Sequence, residues 1–180
     1  GSLDLNALNG TVNGLNGNGT VDNTGGGASV LTVRDNDRGG TFTGVLTNSS
    51  ATLALTKVGT NTQVLSASNS YAGPTTITLG TLATVNEHAL GLGDLSLTGG
   101  ALDVRTSRLF LNSLAGTGGT IANNTTTSTN TLIITGASAT TFNGTIGDGT
   151  GGGGMAVTVL GGSLTIGTQP STYTGGTIVG

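Results

Sequence analysis

The 180-residue sequence predicts an all-β fold, a parallel β-helix (β-solenoid) of about seven to nine coils. Three observations predict it. The chain repeats itself at a spacing of about 100 residues, the mark of an array. Gly1-Ser2-Leu3-Asp4-Leu5 returns as Gly100-Ala101-Leu102-Asp103-Val104, and Phe42-Thr43-Gly44-Val45-Leu46 as Phe142-Asn143-Gly144-Thr145-Ile146. Apolar residues stand in short alternating runs of strand period. Glycine fills 35 positions while charged residues make up only 7%, far below the ~25% of ordinary globular domains.

The elements follow in order along the chain. Strand runs fall at Leu3-Asp4-Leu5, Val30-Leu31-Thr32-Val33, Leu53-Ala54-Leu55, Leu95-Ser96-Leu97, Leu102-Asp103-Val104, Leu109-Phe110-Leu111, Leu132-Ile133-Ile134, Val157-Thr158-Val159 and Leu164-Thr165-Ile166. Between them lie Gly/Asn/Thr/Ser/Asp stretches that turn the chain at low cost, since glycine and asparagine tolerate positive φ. Only Val85-Asn86-Glu87-His88-Ala89-Leu90 is free of turn residues for long enough to form a helical turn. Hairpins favour uniform two-residue loops. Here turns of unequal length, such as Gly149-Thr150-Gly151-Gly152-Gly153-Gly154, separate strands of three to five residues. Stacked coils tolerate that, because each turn can bulge outward without disturbing its neighbours. The reading is one solenoid over residues 1–180, built as two imperfect copies of a unit, 1–99 and 100–180, the second incomplete. Solenoid ends expose strand edges, so neighbouring repeats of the same or an identical chain are expected to stack end to end.

Residues 57–82 read Lys57-Val58-Gly59-Thr60-Asn61, then Leu65, then Asn69-Ser70-Tyr71-Ala72-Gly73-Pro74-Thr75-Thr76-Ile77, then Gly80-Thr81-Leu82. Ala89-Leu90-Gly91 and Gly99-Gly100-Ala101-Leu102-Asp103-Val104 follow. This succession resembles the passenger-associated transport repeat of bacterial autotransporters over residues 53–104. A degraded second copy runs from Val157 to Val179, with Ser171-Thr172-Tyr173-Thr174-Gly175-Gly176-Thr177-Ile178 as its centre. The motif residues are therefore Asn69, Tyr71, Gly73, Thr76 and Ile77, with Tyr173, Gly175, Thr177 and Ile178. The resemblance implies that the parallel β-helix is right-handed and forms a stem on a secreted or surface-exposed bacterial protein. Tyr71 and Tyr173, the only tyrosines, are expected to cover the coil beside a tight turn, their hydroxyls bonding locally.

Composition excludes several functions. A net charge of −3 with five basic residues leaves no electrostatic footprint for nucleic acid or an anionic membrane. Cysteine is absent, which removes disulfides and thiolate metal sites. No apolar run reaches the ~18–20 residues of a membrane span. No cofactor motif is present. Asp35 and Asp37, in the cluster Arg34-Asp35-Asn36-Asp37-Arg38-Gly39-Gly40, are a weak candidate cation site. Leu46 stands where a calcium loop would place its twelfth-position acid. The other acids are Asp4, Asp22, Glu87, Asp94, Asp103 and Asp148, and Asp4 and Asp103 are expected to face solvent within Leu-x-Leu strands. His88, the only histidine, cannot build a histidine metal site alone. The Asn-x-Ser/Thr sequons are expected by chance in this composition.

The leading expectation is an extracellular, non-enzymatic structural stem or filament segment. An adhesin for glycans or other cells is the alternative, and a polysaccharide-cleaving β-helix, which needs converging carboxylates, ranks below it. Ice binding is raised by Thr41-Phe42-Thr43, Thr60-Asn61-Thr62, Thr129-Asn130-Thr131 and Thr172-Tyr173-Thr174. These pairs do not recur at one-coil spacing, so no regular threonine array is expected.

Overall fold

Coils arise because each short strand can satisfy its backbone N–H and C=O groups only on the coil below and the coil above. The computed structural model describes residues 1–34 and 39–180. Coil one holds β1 (Ser2–Asp4) and β2 (Gly10–Val12); coil two holds β3 (Thr20–Asp22), β4 (Ser29–Val33) and β5 (Gly40–Phe42). Coil three holds β6 (Val45–Leu46), β7 (Leu53–Lys57) and β8 (Thr62–Leu65). Coils four and five contribute β9 (Thr75–Ile77) with β10 (Thr81–Thr84), then β11 (Leu95–Leu97) with β12 (Ala101–Val104). Coil six holds β13 (Arg108–Leu111), β14 (Leu114–Gly116) and β15 (Thr120–Ala122). Coil seven holds β16 (Asn130–Ile134), β17 (Ala139–Phe142) and β18 (Thr145–Gly147). Coil eight holds β19 (Met155–Val159) and β20 (Ser163–Ile166), and β21 (Thr177–Val179) opens a ninth. Every strand pairing is parallel.

Three faces result. The second face is one unbroken sheet of eight strands, β2-β4-β7-β9-β11-β14-β17-β20, so the solenoid has eight full coils there. The third face is β5-β8-β10-β12-β15-β18, extended by bridges from Gly17 to Phe42 and from Gly147 to Thr172. The first face is split into β1-β3-β6 and β13-β16-β19-β21. Residues 69–71, without regular structure, and residues 87–92, as turns, fill the gap between them. The expected helical turn over Val85–Leu90 is instead two single turns, Ala89 N to Asn86 O at 3.2 Å and Gly91 N to His88 O at 3.2 Å. Among the described residues there is no helix, hence none long and apolar enough to cross a membrane.

The core is a set of ladders. Leu82, Leu102, Ile121 and Ile146 stack in register up the third face, all fully buried. On the second face Leu31, Leu55, Thr75, Leu95 and Leu114 form the matching column. Strands β4 and β7 alternate buried and half-buried along their length, as the two-residue period of a strand requires. Each buried leucine or isoleucine contributes about 1.5–3 kcal/mol over an exposed one.

Sequence period and coil period do not coincide. Strands β2, β4 and β7 on the second face have their sequence equivalents in β13, β16 and β19, which lie on the first. Likewise β5 and β8 on the third face correspond to β17 and β20 on the second, and β1, β3 and β6 on the first to β12, β15 and β18 on the third. The ~100-residue unit thus stops one face short of five whole coils.

Two buried hydroxyls, Ser29 Oγ and Thr84 Oγ1, have no hydrogen-bond partner among the described residues. Thr84 sits inward between Leu65 and Val104. Thr84→Val is expected to raise stability by about 1 kcal/mol, since the orphaned hydroxyl costs about that much to desolvate. Leu102→Ala is expected to lower it by about 2–5 kcal/mol. Urea unfolding of both variants checks the pair.

Candidate functional site

The break in the first face is where the sequence motif lies. Above β6 a regular strand is missing, and the side chain of Asn69 takes its place. Its Oδ1 accepts from Leu46 N at 2.8 Å, and its Nδ2 donates to Ala89 O at 2.6 Å. One 3%-exposed amide therefore splices the coil below to the coil above. Backbone bonds complete the joint: Ser70 N to Leu46 O at 3.0 Å, Asn69 N to His88 O at 3.0 Å, and Leu92 N to Tyr71 O at 2.9 Å.

Tyr71 is fully buried, so it fills the core instead of covering the coil as expected from the sequence. Its hydroxyl does bond locally, to Thr75 Oγ1 at 2.6 Å. Burial pushes the phenol far above its ordinary range, so it stays neutral. Gly91 lies over the ring at φ +65°, where a Cβ would collide with the Tyr71 carbonyl and ring. Gly73 donates to Leu53 O at 2.9 Å, and a Cβ there would collide with the same carbonyl. Ile77 is core, while Thr76 points outward in register with Thr56 and Ser96. Lys57 is an inward residue of the column Val33, Lys57, Ile77, and its ammonium donates to Val58 O at 2.9 Å and Gly59 O at 3.0 Å.

The second motif repeats several of these bonds on another face. Ser171 Oγ accepts from Ile146 N at 3.2 Å, as Asn69 does from Leu46. Tyr173 OH pairs with Thr177 Oγ1 at 2.6 Å, and Gly175 N donates to Met155 O at 2.8 Å. Ile178 lies outward and 64% exposed, as its counterpart Thr76 lies outward.

A set of interior amides went unnoticed in the sequence. Asn23 and Asn123, 100 positions apart and both fully buried, donate to Gly27 O and Ser128 O at 2.8 Å, closing their corners. Gln63 reaches past Gly40 to coil one, accepting from Leu15 N at 2.9 Å and donating to Leu15 O at 2.8 Å. A Cβ on Gly40 would meet both Leu15 O and Gln63 Oε1. The repeat was the available signal for Asn23 and Asn123; nothing local marked Gln63.

Asp35 and Asp37 lie outside the described residues. Among those described, no group of three metal-ligating side chains exists. The remaining aspartates act as clasps between coils. Asp4 accepts from Thr24 Oγ1 at 2.5 Å and Thr24 N at 3.1 Å, and Asp22 from Ser49 N at 2.8 Å and Ser49 Oγ at 2.6 Å. Asp94 holds Asn112 and Ser113, each at 2.7 Å, and Asp148 holds Met155 N at 2.7 Å and Thr174 N at 2.9 Å. Asp103 departs from expectation. It is 2% exposed, paired to Arg105 Nε at 2.7 Å and bonded by Asn124 N at 3.0 Å, whereas Asp4 is exposed as expected. Its partners explain the difference, since a carboxylate tolerates burial only when paired and hydrogen-bonded.

Two surface features stand out. Thr11, Thr32, Thr56 and Thr76 do stack outward at one-coil spacing, followed by Ser96 and Ala115 and, further up the face, by Thr141 and Thr165. This is a single file of four threonines, interrupted at Ser96 and Ala115, and it involves none of the Thr-x-Thr pairs. On the first face His88 and Phe110 stack at 5.0 Å and 16°, beside a cavity of about 260 Å³ lined by Leu92, Leu111, Asn112 and Thr135. These rings face each other, so a sugar cannot use the stacked faces.

Residues 55–83 match the family model of the passenger-associated-transport-repeat. No curated protein and no solved structure matches the chain significantly. The matched stretch runs from the middle of β7 into β10 and includes Asn69 and Tyr71. Repeat and solenoid together fit a segment of an autotransporter passenger.

Asn69→Ala is expected to destabilise by about 3 kcal/mol, because it orphans a buried N–H and a buried C=O. Tyr71→Phe keeps the packing and is expected to cost about 1 kcal/mol, for the lost bond to Thr75. Denaturant titration with the slope held constant distinguishes these from partial unfolding.

Proposed function

We propose that the chain is a segment of an extracellular structural stem, a non-enzymatic rigid β-solenoid belonging to a secreted or surface-displayed bacterial protein. The observation that carries this reading is the unbroken eight-strand face, along which every coil is bonded to the next. At about 4.8 Å per coil the shaft is about 38 Å long. Its partners are neighbouring coils, of this chain or an identical one, at either end. The match to a transport-associated passenger repeat supports display outside the cell.

The carboxylates argue against polysaccharide cleavage. Asp94 and Asp148 lie on separate coils, and each is occupied in holding the coil above it. Asp4 and Asp22 are neighbours in register, yet each is saturated by its own clasp. Adhesion would call for a broad aromatic or charged platform, and among the described residues a single aromatic pair, His88 and Phe110, is stacked.

Electron microscopy of the native material tests the stem. Straight rods with a ~4.8 Å axial repeat are the expected result. A compact particle that degrades polysaccharides, or saturable binding on a glycan array with no rods, overturns it.

A further inference from the structure

Nine aspartate and asparagine acceptors point one way along the shaft. Asp4, Asp22, Asp94, Asp103 and Asp148 each accept from a residue one coil later in the chain. Asn9, Asn16, Asn48 and Asn124 do the same, accepting from the N–H groups of Val30, Thr41, Ala72 and Thr150. Carboxylate and carboxamide clasps thus share a geometry but differ in chemistry. A carboxamide offers one acceptor oxygen at every pH. A carboxylate offers two, and loses one of them on protonation.

We propose that the aspartate clasps form a proton-sensitive zipper, which holds successive coils together when ionised and releases them one joint at a time in acid. The clearest joints are Asp4 and Asp148. Asp4 receives Asn6 N at 2.9 Å as well as Thr24, and the charged group facing it is Asp22, its register partner on the coil above. Asp148 is faced by Met155 N, Thr174 N and the hydroxyl of Thr174, with no ion pair to it among the described residues. Among the described residues only Asp103 has a cation against it, Arg105. Hydrogen bonds from Thr24 at Asp4, and from Met155 at Asp148, hold both carboxyls below the usual aspartate value of 3.8. Because the folded value is depressed, the clasp contributes fully above 3.8 and is lost as pH falls through the depressed value. Asp148 is the sharper joint, since its two donors come from β19 and from the residue following Tyr173, tying two turns of chain to one carboxyl.

Residue-resolved amide exchange on the 180-residue chain, corrected for intrinsic rates and followed from about pH 7 to about pH 1, so that it passes below the depressed carboxyl values, tests the zipper. Thr24, Met155 and Thr174 amides are expected to lose protection as pH falls through the depressed carboxyl values, while core amides of β7 keep theirs. Asp148→Asn is expected to remove the pH dependence at Met155 and Thr174 and leave it at Thr24; Asp4→Asn is expected to do the reverse. The proposal fails if those amides stay protected throughout, if protection is lost everywhere at once, or if the asparagine variants keep the wild-type pH dependence at their own joints.

Discussion

Bonding along the shaft axis is the constraint on which the structure depends. Each strand is only two to five residues long, too short to be stable alone or as a hairpin. It persists because parallel neighbours above and below saturate its backbone. Where a face supplies no strand, the vacancy must be filled, since unpaired buried amides cost about 1–3 kcal/mol each. Asn69 meets that demand by lending its own amide as a substitute peptide group. Gln63 does the same for Leu15. The buried carboxamides are therefore repairs to the ladder, at places where turns or short strands interrupt it.

The same constraint explains the odd composition. A shaft this narrow has little interior, so a few Leu, Ile and Val columns suffice for its core. Corners need compact residues because successive corners lie directly over one another. Gly91 shows the limit, with the Tyr71 ring and carbonyl leaving no room for a side chain. Among the described residues, five of the six side-chain carboxylates sit at coil junctions, and the deeply buried one, Asp103, brings its own cation, Arg105.

The fold class was legible because period-two alternation and an internal repeat are properties of the sequence itself. The motif residues Asn69, Tyr71, Gly73 and Ile77 were legible for the same reason. Tyr71 was placed too near the surface, because nothing local distinguishes a ring over a turn from a ring inside a coil. Asp103 was misplaced by analogy with Asp4, since the partner that permits its burial, Arg105, has no equivalent two residues after Asp4. The threonine column was hidden more deeply. Thr11, Thr32, Thr56 and Thr76 are 21, 24 and 20 positions apart, so only pairing register reveals that they align. Register depends on the length of each outward turn, and turn length leaves no fixed spacing to read.

Unequal coil lengths also account for the phase shift between repeat and coil. The repeat conserves the order of strands, whereas the shaft conserves their pairing, and the two orders close on different numbers. A strand in the second copy therefore keeps its inward pattern while acquiring a new face. Leu31 and Leu132 are equivalent and both buried. Their outward neighbours diverge: Thr11, Thr32, Thr56 and Thr76 on the second face correspond to Phe110, Ile133, Thr158 and Ile178 on the first. Inward identity follows from the core, which is much the same behind any face. Outward identity answers to local surroundings, and on the first face Phe110 stacks on His88 at the end of the spliced turn. One strand grammar thus serves every face of the shaft, and only the exposed rungs give each face its own chemistry.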